Sequence, residues 1–230
     1  MPPSPLKLIS SMATREVLGE MVSHYQRAAA RSVTAEAAGG VDVAKRVQAG
    51  EAVDVVVLAS NAIDKLIAEK KLVAGSRVDL VKSGIAIAVR ACSPTPAIGS
   101  EEAVKEAVLA ARSLSYSTGP SGIYLEEMFQ RWGILEDIRS RIVVPPPGVP
   151  VGSLVASGAA ELGFQQLSEL LNLPGIEVIG PLPPEIQSIT IFSGAIAVGC
   201  GDQEAARALL DYMASPASLG SKRRHGMEAA

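Results

Sequence analysis

The chain has 230 residues, of which 48% are hydrophobic and 20% are charged, and its formal net charge is −3. This composition excludes a disordered or fibrous protein and predicts one or two globular domains with a large core. Aromatic residues make up only 3% and Lys and Arg form no long stripe, so the sequence argues against a nucleic-acid partner. We interpret the short basic run Lys222–Arg224 as the solvated face of a final helix.

Sequence signals for metals, cofactors and membranes are weak. Cys92 and Cys200 lie far apart, without a CxxC motif or a Cys/His cluster, so we expect buried free thiols and no metal. Fingerprints for phosphate loops and dinucleotides are missing, and we expect no cofactor. MPPSPLKLISS lacks a leader pattern, and no apolar run approaches the ~20 residues of a membrane span. As written, the chain is expected to be soluble and cytoplasmic, or periplasmic if a leader was removed.

The first part of the chain alternates strands with helices. Three strands are predicted at Leu6–Ser10, Val33–Ala37 and Val53–Leu58, and the helices that follow begin near Thr14, at Val41 and at Ala62. Small residues, most of them with a hydroxyl, stand where these strands end, namely Ser10, Ser11, Thr14, Gly40 and Ser60. A hydroxyl at a helix N-terminus either caps the helix or binds a ligand, and capping is the default role of any one of them.

The alternation of strands and helices is interrupted after the third helix. Arg77–Lys82 and Ile85–Val89 are predicted strands without a helix between them, and we place a crossing between two lobes near there. Ser100 is predicted to cap a helix that runs through Ala110.

The stretch from Leu114 to Gly133 carries the clearest functional pattern. Leu114–Tyr116 reads as a buried strand, and the turn after it, STGPSG, opens a helix. A helix N-terminus has unpaired N–H groups and partial positive charge, so this turn can hold a carboxylate without Lys or Arg. Ser, Gly and Pro also build ordinary turns. The predicted ligand groups of this turn are Ser117, Thr118, Gly119 and Ser121.

The last third continues the pattern. A strand is predicted at Ile142–Val144, a helix at Val151–Ser157, and a buried strand at Leu162–Phe164 that ends in Gln165 and Gln166, whose amides either bind a ligand oxygen or satisfy the backbone. Two further strands, Ile189–Phe192 and Ala195–Val198, lead to a helix at Gln203–Ala214 capped by Asp202, and Pro216 opens the last helix. Ligand-like residues at strand ends are expected in open α/β sheets.

The ordered segments LISSMAT, GGVDVAKRVQAG, YSTGPSG, LVASGAAELGF and ALLDYMASPAS resemble the type 2 periplasmic binding proteins, and within them the molybdate-binding proteins of ABC transporters. The resemblance implies an α/β fold of two lobes, 1–82 with 192–230 and 83–191, that close on an anion in a cleft, and a permease as partner. Carried over by residue, it places ligand contacts at Ser10 or Ser11, at Thr118–Ser121, at Pro150 and Val151, and at Gln165 and Gln166.

Two departures from the family pattern bear on the ligand. The family's second serine contact would fall in the turn Gly39–Val41, which has no hydroxyl, and its tyrosine is replaced by Gln165 and Gln166. The additional room and the amides favour a larger, planar anion, a di- or tricarboxylate in preference to molybdate. FQQLSEL and STGPSG also resemble a branch that includes aconitate isomerase. The alternative function is therefore an isomerase that shifts a double bond in a polycarboxylate.

An isomerase needs a group that moves a proton, and the sequence identifies none with certainty. His24 and His225 fall in predicted helices away from every strand end, and the candidate bases are Ser11, Glu36, Tyr116 and Tyr124. A serine hydrolase with Ser121 as nucleophile lacks the GxSxG elbow and a histidine partner. We therefore expect a binding protein and leave the catalytic residues open.

Overall fold

The computed structural model describes residues 4–146 and 148–230, and it confirms the mixed α/β class. The chain forms two compact units. Unit 1 comprises the chain up to Lys82 together with Ile191–Ala230, and unit 2 comprises Ser83–Thr190.

The strands are β1 (Leu6–Ser11), β2 (Val33–Ala38), β3 (Val55–Ala59), β4 (Val78–Arg90), β5 (Leu114–Tyr116), β6 (Leu162–Gln166), β7 (Ile176–Pro181), β8 (Ile189–Ile196) and β9 (Glu228–Ala229). The helices are α1 (Arg15–Ala29), α2 (Gly40–Gln48), α3 (Ser60–Ala68), α4 (Glu101–Ala110), α5 (Pro120–Arg131), α6 (Leu135–Ile138), α7 (Val151–Ser157), α8 (Leu167–Leu170), α9 (Gln203–Ala214) and α10 (Leu219–Arg224). The chain passes from one unit to the other within β4 and within β8.

In unit 1 the strands run in the order β2-β1-β3-β8. β1 pairs in parallel with both β2 and β3, whereas β8 is antiparallel to β3. Successive residues of a strand point to opposite faces, and here both faces are apolar: Leu8 and Val57 contribute to one core cluster, Ile9 and Val56 to another. This explains why Val55–Ala59 is a continuous apolar run, buried throughout.

The sheet of unit 2 is built around β4, which pairs antiparallel with β6 and with β7, and β5 extends it in parallel beside β6. Its main core packs helices α4 and α5 against the sheet through Val108, Met128, Phe129 and Phe164. Phe129 lies at the centre, with ring centroids 6.0 Å from Tyr116 and 6.1 Å from Phe164. The three rings fix α5 against the ends of β5 and β6.

The predicted caps are confirmed where the structure shows them. Ser100 Oγ accepts a hydrogen bond from Ala103 N at 3.2 Å at the start of α4, and Asp202 Oδ1 accepts one from Ala205 N at 3.0 Å at the start of α9. The third helix begins earlier than Ala62, where it was predicted to start. Ala59 is its N-cap and Ser60 is already its first helical residue.

Several sequence-based element boundaries are wrong. The two strands predicted at Arg77–Lys82 and Ile85–Val89 form one thirteen-residue strand, β4, which begins at Val78, because Ser83 and Gly84 continue the extended backbone. The strand predicted at Ile142–Val144 is reduced to a single bridge with Leu114. Lys222 is 1% exposed, so the expected solvated face at Lys222–Arg224 is wrong for its first residue.

Candidate functional site

The predicted site residues of unit 1 stand together at the carboxyl edge of its parallel strands. The register pairs Ser11 with Ala38 at the end of β2, and Ser10 with Val57 near the end of β3. Helix α2 begins at Gly40 and α3 at Ser60, so the starts of both helices lie beside the end of β1. Helix N-termini supply N–H donors, and Ser10 and Ser11 are both buried at this edge.

Thr14 has a local structural role in this arrangement. Its hydroxyl donates to the Ser11 carbonyl at 3.1 Å and lies 3.5 Å from Ser11 Oγ, and the side chain is completely buried. Because its proton is directed to the backbone, Thr14 closes the turn between β1 and α1. The hydroxyl of Ser11 then remains the candidate ligand group of this pair.

Gly40 has no side chain in the turn where the family pattern has its second serine contact, and the space of that serine hydroxyl is open. A Cβ atom placed on Gly40 would lie 3.7 Å from Ser11 Cβ and 3.9 Å from Leu58 Cδ2, which are ordinary contacts. The absence of a side chain is therefore not forced by packing.

In unit 2 the predicted residues of the hydroxyl turn (Ser117–Gly122) fold back on the start of α5. Ser117 Oγ and Ser121 Oγ are 3.0 Å apart, and the amides of Gly122 and Ile123 both donate to Gly119 O. A Cβ on Gly122 would lie 1.6 Å from Ser117 O, so the close approach requires glycine. The geometry places two hydroxyls at the N-terminus of a twelve-residue helix.

Thr118 and Gly119 complete this turn. Thr118 is exposed and Gly119, half-buried, is the extended N-cap of α5, while Ser121 is buried. The parallel pairing of Tyr116 with Phe164 brings the end of β5 beside the end of β6, where Gln165 and Gln166 stand.

Gln165 and Val151 are engaged with each other. Gln165 Oε1 accepts the Val151 N–H at 3.0 Å, and Gln165 Nε2 donates to Glu169 Oε1 at 2.8 Å. We call this chain, from Val151 N–H through Gln165 to the Glu169 carboxyl, the amide bridge. Contact of Val151 or Gln165 with a ligand remains a prediction. The Val151 N–H would have to exchange its bond, whereas Gln165 Nε2 has a second N–H that can donate without breaking the amide bridge.

Gln166 is placed differently. Its Nε2 donates to Thr190 Oγ1 at 2.9 Å, at the last residue of unit 2, and its Oε1 is buried without a partner among the described residues. Leaving a buried amide oxygen unpaired costs free energy, so this atom is a candidate for contact with a solute or water.

Glu169 is the functional candidate that sequence reasoning missed. Its side chain is half-buried, and loss of hydration raises the pKa of its carboxyl to about 7, although the bond from Gln165 acts in the opposite direction. The signal was present in FQQLSEL, where Gln165 and Glu169 are four residues apart. The short helix α8 was not predicted, so this spacing was not recognised.

Three of the four candidate bases proposed from sequence, all except Ser11, are engaged elsewhere. Tyr116 Oη donates to Glu126 Oε1 at 3.0 Å, and burial raises the pKa of the phenol. Tyr124 Oη donates to Ile186 O at 2.9 Å. Glu36 is exposed, and its hydrogen bond with Arg46 lowers the pKa of the carboxyl. Each of these three side chains is therefore already engaged in a hydrogen bond, and none is free to move a proton of a ligand.

Both histidines flank Glu20 of helix α1. His225 Nε2 lies 2.9 Å and His24 Nε2 3.8 Å from carboxylate oxygens of Glu20, and Arg224 also binds this carboxylate. The bond with Arg224 is the main reason that the pKa of Glu20 is lowered to about 2. The cluster joins α1 to the end of α10, and its contacts are structural.

We also searched the described residues for metal sites, membrane-spanning helices and other concavities. Among residues 4–146 and 148–230 there is no group of three or more His, Cys, Asp or Glu side chains arranged to hold a metal ion. Within the same residues, no helix is long and apolar enough to cross a membrane. Two concavities of unit 1, lined in part by Lys7, Glu51 and Val53, include none of the predicted ligand residues.

Comparison with known proteins identifies the family. The model of the family described as bacterial extracellular solute-binding protein matches residues 6–228. This chain belongs to that family. An aconitate isomerase from Pseudomonas sp. is 37% identical over 222 residues, covering 93% of this chain and 84% of that protein.

Solved structures of the family fold are also similar. The periplasmic molybdate-binding protein of Azotobacter vinelandii has a TM-score of 0.80 at 19% identity, covering 96% of this chain and 98% of that one. PEB3, a Campylobacter jejuni protein, in its L-phospholactate-bound crystal structure has a TM-score of 0.76 at 13% identity, covering 98% and 100%. These likenesses confirm the type 2 periplasmic-binding-protein fold.

Proposed function

We propose that the protein binds a small organic anion, a di- or tricarboxylate in preference to molybdate. The observation that carries the proposal is the hydroxyl turn, where Ser117 and Ser121 stand 3.0 Å apart at the start of α5. Hydroxyls and backbone N–H groups are donors suited to carboxylate oxygens. The unpaired Gln166 Oε1 in the same unit supports a ligand that also carries a donor, such as a hydroxyl or a protonated acid.

Within unit 1, the groups proposed to bind an anion are Ser10, Ser11 and the N-termini of α2 and α3. The missing side chain at Gly40 supports a larger anion, because the space near Ser11 is open to it. The 37% identical relative named aconitate isomerase makes trans-aconitate the first probe to use.

The test is thermal unfolding with trans-aconitate, citrate, molybdate and sulfate at equal concentrations. A ligand that binds only the folded state stabilises by RT ln(1 + [L]/Kd), about 2.7 kcal/mol at a hundredfold excess over Kd. We expect a higher melting temperature with the carboxylates than with molybdate. A larger shift with molybdate or sulfate would refute the carboxylate preference.

A second candidate function is isomerisation of an unsaturated tricarboxylate. Its supporting observations are the relative named aconitate isomerase and the Glu169 carboxyl, whose pKa of about 7 suits proton transfer at neutral pH. Incubation with trans-aconitate, followed by chromatography for the cis isomer, distinguishes the two. Turnover of roughly 1 per second or faster would establish the enzyme.

The family description also supports a place and a partner. Because the family is described as extracellular solute-binding proteins, we propose that the protein works outside the cytoplasm with an ABC permease. Co-purification with the permease from membranes, in the presence and absence of trans-aconitate, tests this proposal.

A further inference from the structure

The amide bridge fixes the orientation of the Gln165 side chain at both ends. Since the Val151 backbone N–H can only donate, the atom that faces it at 3.0 Å must be Oε1. Nε2 is then directed to Glu169 Oε1, 2.8 Å away. Gln165 is 3% exposed, so neither end of the amide can turn to bulk water instead.

Glu169 lies where little neutralises its charge. Helix α8 packs against α7, β6 and β7, and its residue Leu170 also packs against β4. Neither α7 nor β6 contains an ionisable residue. The charged residue of β7 is Glu177, which is exposed. On β4, Lys82 and Arg90 each lie four residues along the strand from the Ala86 that pairs with Gln165, and Lys82 is paired with Glu228.

We propose that Glu169 is a positioning residue that couples anion binding to proton uptake, acting through the amide of Gln165. The inference rests on the proposed function, in which an anion binds the strand-end groups of unit 2 that surround Gln165. An ionised Glu169 and a bound anion are like charges joined by a single side chain, so each disfavours the other. Binding therefore draws a proton from solvent onto those Glu169 carboxylates that are ionised in the free protein, so that the average uptake is at most one proton.

Protonation leaves the amide bridge intact. A neutral carboxyl keeps its carbonyl oxygen as an acceptor for Gln165 Nε2, and the other oxygen carries the proton. The expected consequence is a change in charge at the site without a change in the position of Gln165. Hydration loss, which raises the pKa of Glu169 to about 7, places this proton exchange in the neutral range.

The pH dependence has a defined sign. When anion binding raises the pKa of Glu169 further, affinity is highest below about pH 6 and falls as pH rises through the pKa of the free protein. One proton limits the slope to tenfold per pH unit, and we expect a total loss of about fivefold to thirtyfold between pH 6 and 8.5.

The variant Glu169→Gln tests the coupling. Its amide oxygen can still accept from Gln165 Nε2, but it carries no ionisable proton, so its affinity for trans-aconitate should be flat over the same pH range. Glu177→Gln is the matched control, because Glu177 is exposed on the adjacent strand β7 and should leave the slope of the original protein unchanged.

Calorimetry in two buffers of different ionisation enthalpy measures proton uptake directly, and it needs only the original chain. We expect uptake of a fraction of a proton, largest between the pKa of the free protein, about 7, and the higher pKa of the complex, and none with Glu169→Gln. Carbon NMR of the glutamate carboxyls gives a second readout, in which one resonance titrates near pH 7 and shifts to higher pH with trans-aconitate. Calorimetry and NMR of the original chain both test the coupling even if the Glu169→Gln variant does not fold.

The outcomes separate the two proposals. If trans-aconitate binds without a pH slope and without proton uptake, the coupling is overturned and anion binding stands. If the slope persists in Glu169→Gln, another group is responsible and the role of Glu169 is overturned. If no binding occurs at any pH, the proposed carboxylate function fails, and the coupling fails with it.

Discussion

Two hydroxyls of unit 2 meet at the start of a helix, and each is held for a different reason. Ser117 is positioned by the turn that leaves β5, whereas Ser121 is buried on the first turn of α5. Their oxygens lie 3.0 Å apart, so one hydroxyl donates to the other and one proton remains for an external acceptor. This arrangement makes the pair a donor site for an oxyanion.

Removal of one member of this pair should weaken anion binding. In Ser121→Ala, Ser117 loses its partner and the bound carboxylate loses a donor, so we expect a loss of about 1 to 3 kcal/mol in trans-aconitate binding by calorimetry. Ser157→Ala is the control, since Ser157 is exposed and donates only to Leu154 O within α7. Equal affinities for both variants would show that the hydroxyl turn does not contact the solute.

At the scale of elements, the connection between β5 and α5 depends on one close backbone approach. Gly122 N donates to Gly119 O, and the Ser117 carbonyl lies where a Gly122 side chain would begin. The sequence STGPSG predicts a turn and a helix start, but it does not reveal this contact, because the contact depends on how Phe129 of α5 packs against Tyr116 of β5.

Gly122→Ala should therefore displace the turn. A Cβ 1.6 Å from a carbonyl oxygen cannot be accommodated without backbone movement, so we expect a loss of roughly 1–3 kcal/mol in the free energy of unfolding. Urea denaturation measures it, and anion binding should weaken in parallel. Gly99→Ala, with no atom within 4 Å of the added methyl, is the control. A stable Gly122→Ala variant would contradict the observed packing.

The strand and helix pattern was readable where periodicity was strong. The parallel strands of unit 1 and the caps at Ser100 and Asp202 followed from local sequence, because apolar runs and capping residues act over a few positions. By contrast, β7 is not recognised from the sequence because its residues are only partly buried, and α8 is not recognised because it has only four residues. The amide bridge was missed for the same reason, because it depends on α8.

At the scale of the whole molecule, the fold does not decide the ligand. Proteins of the same fold with 13% to 19% identity to this chain include one named for molybdate and one crystallised with L-phospholactate. Ligand choice must then depend on a few side chains at strand ends. The positions of this chain that bear on ligand choice are those where its residue differs from the family pattern. The main one is Gly40, which lies where the family has a serine contact.

Gly40→Ser tests whether that position sets the preference between anions. The new Cβ meets only ordinary contacts with Ser11 and Leu58, so the hydroxyl can be added without strain. We expect molybdate binding to strengthen relative to trans-aconitate by about tenfold, the equivalent of one added hydrogen bond of about 1.4 kcal/mol. Calorimetry with both anions on both proteins gives this ratio.

The control is Gly19→Ser on α1, where no atom lies within 4 Å of the added group and where the ratio should not change. A fall in trans-aconitate affinity alone would indicate that the serine only fills space, and the missing hydroxyl would then not explain the preference. An unchanged ratio in Gly40→Ser would place the solute away from Ser11 and the start of α2. A tenfold gain for molybdate would instead identify Gly40 as the residue that admits the larger anion.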